Sequence, residues 1–342
     1  MSTGASDPDH SSVDRPLLLV VGEVNPDIVV QGVPRLRFGQ AEDVVASTTL
    51  TVGSSAAIMA CGAARLGASV SLVGVVGEDD LGRFVVRRLQ ERGVDTTRVR
   101  TAAGRPTGSS VVLVSAADAS DRHILTSLGS MTDLVVEDVP DDLISAAAHL
   151  HVGSWFLHLS AREQLGERLA EARRQGLSTS VDPNDDPDRA WDSGLQSSLQ
   201  HVELLFCNES EACGISGLGD ADAAALHLLT RIAGDSSRVG LPAVVLKLGS
   251  AGARVYRQGS VTTVDAPMVD VVDTVGAGDS LAGAVLAMLL EGQPWPRAIA
   301  VGVATGSLST TCAGGVDGQP SHDQAAATAA ALSVRTQVKG ER

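Results

Sequence analysis

Aromatic residues make up only 2% of the 342-residue sequence, although hydrophobic residues as a whole make up 44%. The core must therefore be built mainly from Ala, Val and Leu side chains. Long apolar runs are also missing, since none approaches the ~20 residues that a membrane-spanning helix needs. We therefore expect no membrane partner. A chain of 342 residues can form one large α/β domain or two smaller ones.

Basic residues and paired cysteines are scarce as well. The chain has 26 Lys and Arg against 41 Asp and Glu, a formal net charge of −15, which argues against nucleic-acid binding. The four scattered cysteines form no C-x-x-C pair, which favours free thiols and a reducing cytoplasm. Residues 1–14 are polar and lack a hydrophobic signal core. We predict disordered tails at residues 1–14 and 334–342, flanking one folded region at 15–333.

Short apolar runs alternate with helical patterns along the chain. Continuous apolar runs at residues 17–22, 70–76 and 243–248 are typical of strands buried on both faces of a sheet. Helical patterns occur at residues 54–67, 80–93, 160–175, 220–234, 279–290 and 325–332. This alternation predicts an α/β fold with a mostly parallel central sheet that is covered by helices on both faces.

Two segments interrupt the alternation. Residues 28–50 and 107–128 contain alternating, β-rich stretches with no neighbouring helices to bury them in the main sheet. Within the second segment, a polar turn predicts a β-hairpin over residues 109–127. We interpret both segments as a small separate β-sheet that acts as a lid over the site.

The most informative motif is a glycine-containing turn, then an acid, then an apolar helix. It reads DTVGAGDS over residues 273–280, and the apolar stretch continues to residue 290. The backbone N–H groups of such a turn, together with the positive end of the helix dipole, can bind a phosphate. Asp279 would repel a resting phosphate, so its natural role is to take a proton from an attacking hydroxyl. The alternative is that Asp279 only caps a helix.

Four motifs, in the same order, resemble the ribokinase-like, or PfkB, family of carbohydrate kinases. Residues 273–279 are similar to the family's C-terminal signature, and residues 64–82 are similar to its N-terminal signature. Residues 208–211 (NESE) match its N-x-x-E element, and residues 22–27 resemble its first substrate loop. The resemblance covers residues 17–320. It implies a ribokinase-like three-layer sandwich with a small β lid, and ATP-dependent phosphorylation of a sugar hydroxyl.

The resemblance implies roles for the glycine-rich motif. Asp279 is expected to be the general base for the sugar hydroxyl. The N–H groups of Gly276, Ala277 and Gly278 are expected to form the anion hole that stabilises the transferring phosphoryl group.

The resemblance also implies a metal site and a nucleotide site. Asn208 and Glu211 are expected to act on Mg²⁺ mostly through water, although the same pair has the form of a helix capping box. The turn from Lys247 to Gly252 resembles the family's nucleotide-binding turn, in which Gly249 also lies. Lys247 either reaches the ATP phosphates or is an exposed residue at a strand end.

Two further expectations come only from the resemblance. A monovalent cation such as K⁺ is expected near the anion hole, with Asp273, the Val275 carbonyl and residues 313–317 as candidates. Lid strands in this family commonly pair between subunits, which predicts a homodimer through the lid.

The sugar is expected to contact the loop after the first strand and the start of the first helix. Asn25 and Asp27 offer short polar groups there, although ordinary turn chemistry is the alternative. Gly53 and Ser54 are expected to border the same pocket. Ile58 stands where the family often has a sugar-contacting Asn, so we expect an apolar contact in place of a hydrogen bond.

The leading hypothesis is a kinase for a free sugar or sugar acid. Asp185 and Asp186 follow the D-P-N strand end and disfavour a phosphorylated substrate. A nucleoside kinase is the nearest alternative, but the lid segments offer only Phe38 for stacking on a base. A non-catalytic sugar-binding protein is disfavoured by the intact Asp279 and N-x-x-E motif. An NAD-dependent oxidoreductase is disfavoured because no G-x-G-x-x-G turn follows the first strand.

Overall fold

The computed structural model describes residues 16–36, 39, 42–117, 122–232 and 242–338. The strands in chain order are β1 (Leu17–Val21), β2 (Pro26–Val33), β3 (Ser47–Val52), β4 (Ser69–Gly77), β5 (Val99–Ala102), β6 (Ser109–Ser115), β7 (Arg122–Ser127), β8 (His149–Gly153), β9 (Ser178–Asp182), β10 (Leu204–Asn208), β11 (Ala243–Lys247), β12 (Ala253–Arg257), β13 (Ser260–Val264) and β14 (Val334–Val338). The α-helices are α1 (Ser55–Arg65), α2 (Asp80–Glu91), α3 (Asp141–Ser145), α4 (Arg162–Arg174), α5 (Leu195–Ser198), α6 (Glu209–Ser216), α7 (Ala221–Arg231), α8 (Ala277–Leu290), α9 (Trp295–Ser309) and α10 (His322–Ala330).

A ten-stranded sheet forms the centre of the molecule, in the order β14-β13-β12-β11-β10-β9-β8-β1-β4-β5. The strands from β5 across to β11 run parallel, whereas β12, β13 and β14 continue the sheet antiparallel. The expectation of a mostly parallel α/β sheet is therefore confirmed. The strand order reverses at β1, because the chain proceeds from β1 to β4 on one side and later returns to β8 on the other.

Both faces of this sheet are covered, as the continuous apolar strands predicted. Successive side chains of a strand point to opposite faces. Leu18 and Val20 accordingly pack into one apolar layer with α1, α8 and α9, whereas Leu19 and Val21 pack into the other with α4, α6 and α7. The two apolar layers hold the helices against the sheet, so the N-termini of several helices lie at the carboxyl ends of its strands.

The four remaining strands form a separate small sheet in the order β3-β2-β6-β7. The outer pairs are antiparallel, including the β6–β7 hairpin, and the central β2–β6 pair is parallel. Residues of β2, β6 and β7 line one side of a large cavity, so this sheet forms one of the cavity walls. Phe38, the one aromatic residue of the lid segments, lies outside the described residues.

The structure departs from the expected C-terminal tail. Residues 334–338, which we expected to be disordered, form β14 instead. This strand pairs with β13, the Thr336 and Thr262 hydroxyls are 3.0 Å apart, and Arg335 forms a 2.6 Å ion pair with Asp265. The pairing gives the backbone groups of both strands hydrogen-bond partners.

Helix α9 was not predicted, and its composition explains why. Its residues Ala298 to Gly306 are buried, so the helix lacks the polar stripe by which an amphipathic pattern is recognised. Over the described ranges, no helix has both the length and the hydrophobicity that crossing a membrane requires. The four cysteines are free, with Cys61 and Cys207 buried as expected and Cys312 exposed.

Candidate active site

A cavity with a volume of about 810 Å³ lies at the carboxyl edge of the ten-stranded sheet. Its floor is formed by residues that follow β1, β9, β10 and β11, and by the N-terminal turn of α8. Ligands of open α/β sheets bind at this edge, beside the point where the strand order reverses. The cavity therefore brings the sequence-predicted motifs to one place.

The glycine-rich turn starts α8 with backbone groups directed into the cavity. Gly276 precedes the helix with a left-handed φ of 72°, a conformation that favours glycine. A Cβ on Gly276 would also come within 2.8 Å of the Gly315 Cα atom and 2.9 Å of Ile58. The first N–H groups of a helix have no intrahelical acceptor, so Gly276, Ala277 and Gly278 form a structural candidate for the predicted anion hole. The Ala277 N–H makes one long turn hydrogen bond, of 3.4 Å, to the Thr274 carbonyl.

Asp279 lies in the first turn of α8 and lines the cavity. Burial, followed by the nearby charges of Asp182 and Glu23, raises the pKa of Asp279 from 3.8 to about 7. Lys247 and a hydrogen bond from Ser55 act in the opposite direction. A carboxyl group with a pKa near neutrality is suited to accept and release a proton at physiological pH.

Lys247 is neither exposed nor unpaired. Its Nζ atom lies 2.7 and 3.0 Å from the two carboxylate oxygens of Asp182, and the two side chains are only 11% and 3% exposed. Burial alone would lower the pKa of Lys247, but the charges of Asp182, Glu211 and Asp279 raise it above its ordinary value. The side chain passes close to the anion hole, since a Cβ on Gly278 would be 3.1 Å from the Lys247 Cδ atom.

Asn208 and Glu211 form the capping box that the sequence allowed. The Asn208 N–H donates to Glu211 Oε2 at 2.8 Å, and the Glu211 N–H donates to Asn208 Oδ1 at 2.9 Å. The Asn208 amide also donates to Glu211 Oε1 at 2.7 Å. Burial raises the pKa of Glu211. Both residues line the cavity, so capping and a role at the site are compatible.

The donor set near the cavity fits a water-coordinated metal better than a fully protein-ligated one. In the described ranges there is no group of three or more His, Cys, Asp or Glu side chains that could hold a metal ion. Each carboxylate oxygen of Glu211 keeps a second lone pair beyond its capping bond. Mg²⁺ usually retains several water ligands and needs few protein ligands.

At the other end of the cavity, Asn25 and Asp27 face Gly53. The Asn25 amide donates to Asp27 Oδ1 at 3.2 Å, and the Gly53 N–H donates to the Asn25 carbonyl at 2.9 Å. A Cβ on Gly53 would be 2.0 Å from Asp27 Oδ1, so only glycine leaves room for this carboxyl group. Burial and the charge of Glu23 raise the pKa of Asp27 to about 7.

Sequence reasoning gave no role to Glu23, which anchors a polar network below the cavity. Glu23 Oε1 accepts the Ser154 hydroxyl at 2.6 Å and the Ser55 N–H at 3.0 Å. The Asn184 amide donates to the hydroxyls of Ser55 and Ser154, each at 2.6 Å. The Ser54 hydroxyl donates to the Glu23 carbonyl and accepts the N–H of Ala57 as the cap of α1. The sequence signals for parts of this network were the loop at residues 22–27, Ser54 and the D-P-N strand end.

Ile58 lies between the cavity and the glycine-rich turn. Its side chain is only 2% exposed, and it packs beneath the backbone of Gly276 and Gly315. Ile58 also borders the cavity, so the apolar contact with a sugar stays a prediction.

Asp273 and Arg122 connect the glycine-rich turn to its surroundings. The carboxylate oxygens of Asp273 accept the N–H groups of Val275 and Gly314 at 2.9 and 2.8 Å. Arg122, on strand β7 of the small sheet, donates to the Thr274 hydroxyl at 2.9 Å. Sequence reasoning missed Arg122. It brings a guanidinium group to the cavity wall from a strand 152 residues away in sequence.

The remaining candidates divide into lining and structural residues. Gly249 and Gly252 line the cavity, and Gly252 has a left-handed φ of 94°. Asp185 also lines the cavity, whereas Asp186 is buried and accepts the N–H groups of the loop that follows it. His151 is a core residue, because its Nδ1 atom is 2.7 Å from the Ser180 hydroxyl inside the sheet.

The sequence is similar to those of known proteins. The sequence profile of the pfkB family carbohydrate kinases matches residues 15–322. A 2-dehydro-3-deoxygluconokinase from Bacillus subtilis (strain 168) is 31% identical over 297 residues, covering 83% of this chain and 88% of the relative.

Solved structures show the same fold. Ribokinase from Arabidopsis thaliana, complexed with ribose and ATP, aligns with a TM-score of 0.76 at 21% identity, over 92% of this chain and 99% of that chain. An E. coli protein in complex with ATP and Mg²⁺ aligns with a TM-score of 0.78 at 21% identity, over 92% of this chain and 98% of that chain. The fold is ribokinase-like, and the chain belongs to the pfkB family of carbohydrate kinases, which are phosphotransferases that act on hydroxyl groups.

Proposed function

We propose that this protein transfers the γ-phosphate of ATP to a hydroxyl group of a free sugar or sugar acid, with Asp279 as the general base. The observation that carries the proposal is the position of Asp279, at the N-terminus of α8 and on the wall of a cavity that also contains Asn25 and Asp27. In this arrangement a hydroxyl held by Asn25 and Asp27 would lie between the base and the helix N–H groups.

The reaction then needs one proton transfer and one displacement. The sugar hydroxyl gives its proton to the Asp279 carboxylate as its oxygen attacks the γ-phosphorus, and the bond to the β-phosphate oxygen breaks to release ADP. The N–H groups of Gly276, Ala277 and Gly278 stabilise the negative charge on the transferring group. A base of this kind contributes about 10²–10⁴-fold to the rate.

ATP and the cations are assigned to the opposite side of the anion hole from the sugar. Lys247, Gly249 and Gly252 would border the nucleotide, and Asn208 and Glu211 would hold water ligands of Mg²⁺. Bound Mg²⁺ would supply positive charge to the phosphates of ATP. A K⁺ site at Asp273 and the Val275 carbonyl stays a prediction, and the Asp273 carboxylate already accepts two backbone N–H groups.

The charges of the cavity bear on the substrate class. The described lining residues include the acids Glu23, Asp27 and Asp185, besides Asp279 and Glu211, but only two cations, Arg122 and Lys247. Lys247 is paired with Asp182. We therefore assign neutral sugars or singly charged sugar acids, with Arg122 as the contact for a carboxylate, and disfavour phosphorylated sugars. None of the described lining residues is aromatic, which disfavours a nucleoside.

A substrate panel tests the proposal. ADP formation with ATP and Mg²⁺, with and without K⁺, is measured for neutral sugars, sugar acids, sugar phosphates and nucleosides. We expect turnover in one of the first two classes that falls by about 10²–10⁴-fold in Asp279→Asn. If the native enzyme shows no turnover above background on this panel, or if Asp279→Asn retains full activity, the proposal is wrong.

The assembly and location are proposed separately. We propose a homodimer formed through the small sheet, because the face of this sheet that is turned away from the cavity exposes Leu125 of β7 at 52% and Leu50 of β3 at 43%. Light scattering at micromolar concentration should give twice the mass of 35.0 kDa, and a monomeric mass refutes it. The cytoplasmic location stays a prediction. The single kinase domain also stays a prediction, but its sheet includes β14 and therefore extends past the predicted boundary at residue 333.

A further inference from the structure

A second cavity, of about 510 Å³, lies at the opposite edge of the large sheet from Asp279. Its walls include the first residues of β8 and β10, the last turn of α8 and the loop between α8 and α9. The cavity does not share any lining residue with the candidate active site. Its volume lies within the range of small-ligand sites, about 300–1,000 Å³.

Arg257 is the charged group among the described lining residues of this cavity, and it has no anionic partner within the described part of the chain. It ends strand β12, and its guanidinium carbon lies 6.0 Å from the centre of the Trp295 ring. Its Nε atom is buried without a hydrogen-bond partner, and no carboxylate of the described residues forms an ion pair with it. By contrast, Arg254 on the same strand forms an ion pair with Asp222. Since buried polar groups are normally hydrogen-bonded, the buried Nε atom of Arg257 is a donor that lacks an acceptor among the described residues.

The other walls are mainly apolar or already satisfied. Leu204, Leu286, Leu289 and Pro294 supply hydrocarbon surface, beside the face of Trp295. The polar side chains at the rim bond to each other, since the His149 Nδ1 atom is 2.7 Å from the Ser178 hydroxyl. Among the described lining residues Arg257 is thus the single Lys, Arg, Asp or Glu side chain, and the polar residues His149, Ser178 and Gln293 accompany the apolar walls.

These properties define the ligand by its chemistry. One guanidinium group matches one carboxylate, to which it can donate two parallel hydrogen bonds. A phosphate dianion would call for more positive charge or several backbone N–H donors. The apolar walls then require a short hydrocarbon or aromatic body behind the carboxylate.

We propose that this cavity is a second ligand site, which binds a small carboxylate with an apolar body, head towards Arg257 and body against Trp295 and the leucines. The site is independent of the proposed function, because it contains none of the residues assigned to catalysis. Helix α8 connects the two regions, with Asp279 in its first turn and Leu286 and Leu289 near its end.

Isothermal calorimetry with the full chain tests the proposal, with hexanoate and phenylacetate as probes and 1-hexanol as the uncharged control. We expect saturable binding of at least one carboxylate at one site per chain, and no saturable binding of 1-hexanol. Because hydrogen bonds to charged groups contribute about 1.5–3 kcal/mol, Arg257→Met should weaken the binding by about tenfold or more. Arg254→Met is the matched control and should bind like the native chain.

The indole N–H signals of the three tryptophans locate the bound probe. In a ¹H–¹⁵N spectrum of the native chain, the signal that is absent from Trp295→Phe should shift on titration, and the other two should not. This readout does not depend on the stability of Arg257→Met. Failure of both carboxylates to bind, equal binding by 1-hexanol, or a Trp295 signal that does not move would overturn the proposal.

Discussion

The pH dependence of the reaction follows from the surroundings of Asp279. Burial and the charge of Asp182 raise its pKa from 3.8 to about 7, and only the deprotonated carboxylate can accept the proton of a hydroxyl. Activity should therefore fall as the pH decreases through 7. With a pKa of about 7, about nine tenths of the carboxyl groups are ionised at pH 8 and about one tenth at pH 6. We expect kcat/KM for the sugar to fall by about tenfold over this range.

The assay is steady-state kinetics at saturating ATP and Mg²⁺ from pH 5.5 to 8.5, which spans the pKa of about 7. Asp80 supplies a matched control, because it also lies in the first turn of a helix but is 97% exposed. Asp80→Asn should keep both the rate and the profile. Asp279→Asn should lose most of its activity, and the remaining activity should no longer fall as the pH decreases through 7. A native profile that is flat between pH 6 and 8 would refute the reasoning, since an ordinary Asp is fully ionised throughout this range.

Asp27 also has a pKa of about 7. An experiment must therefore show which of the two aspartates causes the acid limb, that is, the loss of activity as the pH decreases through 7. Asp27→Asn should raise the KM for the sugar but retain the limb. Titration of ¹³C-labelled aspartate carboxyl groups in the free protein gives the two pKa values directly, with each variant assigning its own signal. If the Asp279 signal titrates near pH 4, the structural account of its environment is wrong.

Three further substitutions probe other parts of the site. Gly53→Ala places a Cβ 2.0 Å from Asp27 Oδ1, so it should lower kcat/KM by about tenfold or more with an unchanged circular dichroism spectrum. Lys247→Met leaves Asp182 buried without its cation and should lower the free energy of unfolding in urea by about 3–5 kcal/mol. Arg122→Gln should raise the KM for a sugar acid by about tenfold or more and leave that for a neutral sugar nearly unchanged.

For each of these three variants, a control substitution or a second substrate shows what causes the measured effect. Arg254→Met breaks an ion pair whose side chains are 36% and 50% exposed, so it should cost only about 0–1 kcal/mol of the free energy of unfolding. A similar small loss in Lys247→Met would contradict the buried pair. Gly219→Ala has open space around the added Cβ and should keep full activity. An equal change of KM for acidic and neutral sugars in Arg122→Gln would exclude a specific contact with a carboxylate.

Much of this site could be predicted because its motifs are local. The DTVGAGD turn, the N-x-x-E pair and the strand ends each join a strand or turn to a helix within a few residues, and parallel strands bring their carboxyl ends to one edge. The long apolar strands likewise predict a sheet that is buried on both faces. Local sequence was therefore sufficient to place Asp279 and Asn208 at the same cavity.

Contacts between distant segments could not be predicted in this way. The Lys247–Asp182 pair joins residues 65 positions apart, and the bond from Arg122 to Thr274 spans 152 positions. No periodic pattern in the sequence indicates which distant residues form such pairs. Lys247 therefore had two open interpretations in the sequence, and only the packing of β9 beside β10 and β11 shows that its charge is neutralised by Asp182.

The buried charges of the site act together, and this explains how one carboxylate can be tuned for proton transfer. Lys247 lies between Asp182 and the start of α8, and its charge lowers the pKa of Asp279, which burial and Asp182 raise. Removing only Asp182 would thus release Lys247 towards Asp279 and lower the pKa of the base. Removing Lys247 would raise the same pKa further. Substitution of Asp182 should therefore move the pH at which activity falls to a lower value, and substitution of Lys247 should move it to a higher value. A purely structural role of the ion pair does not predict these opposite shifts.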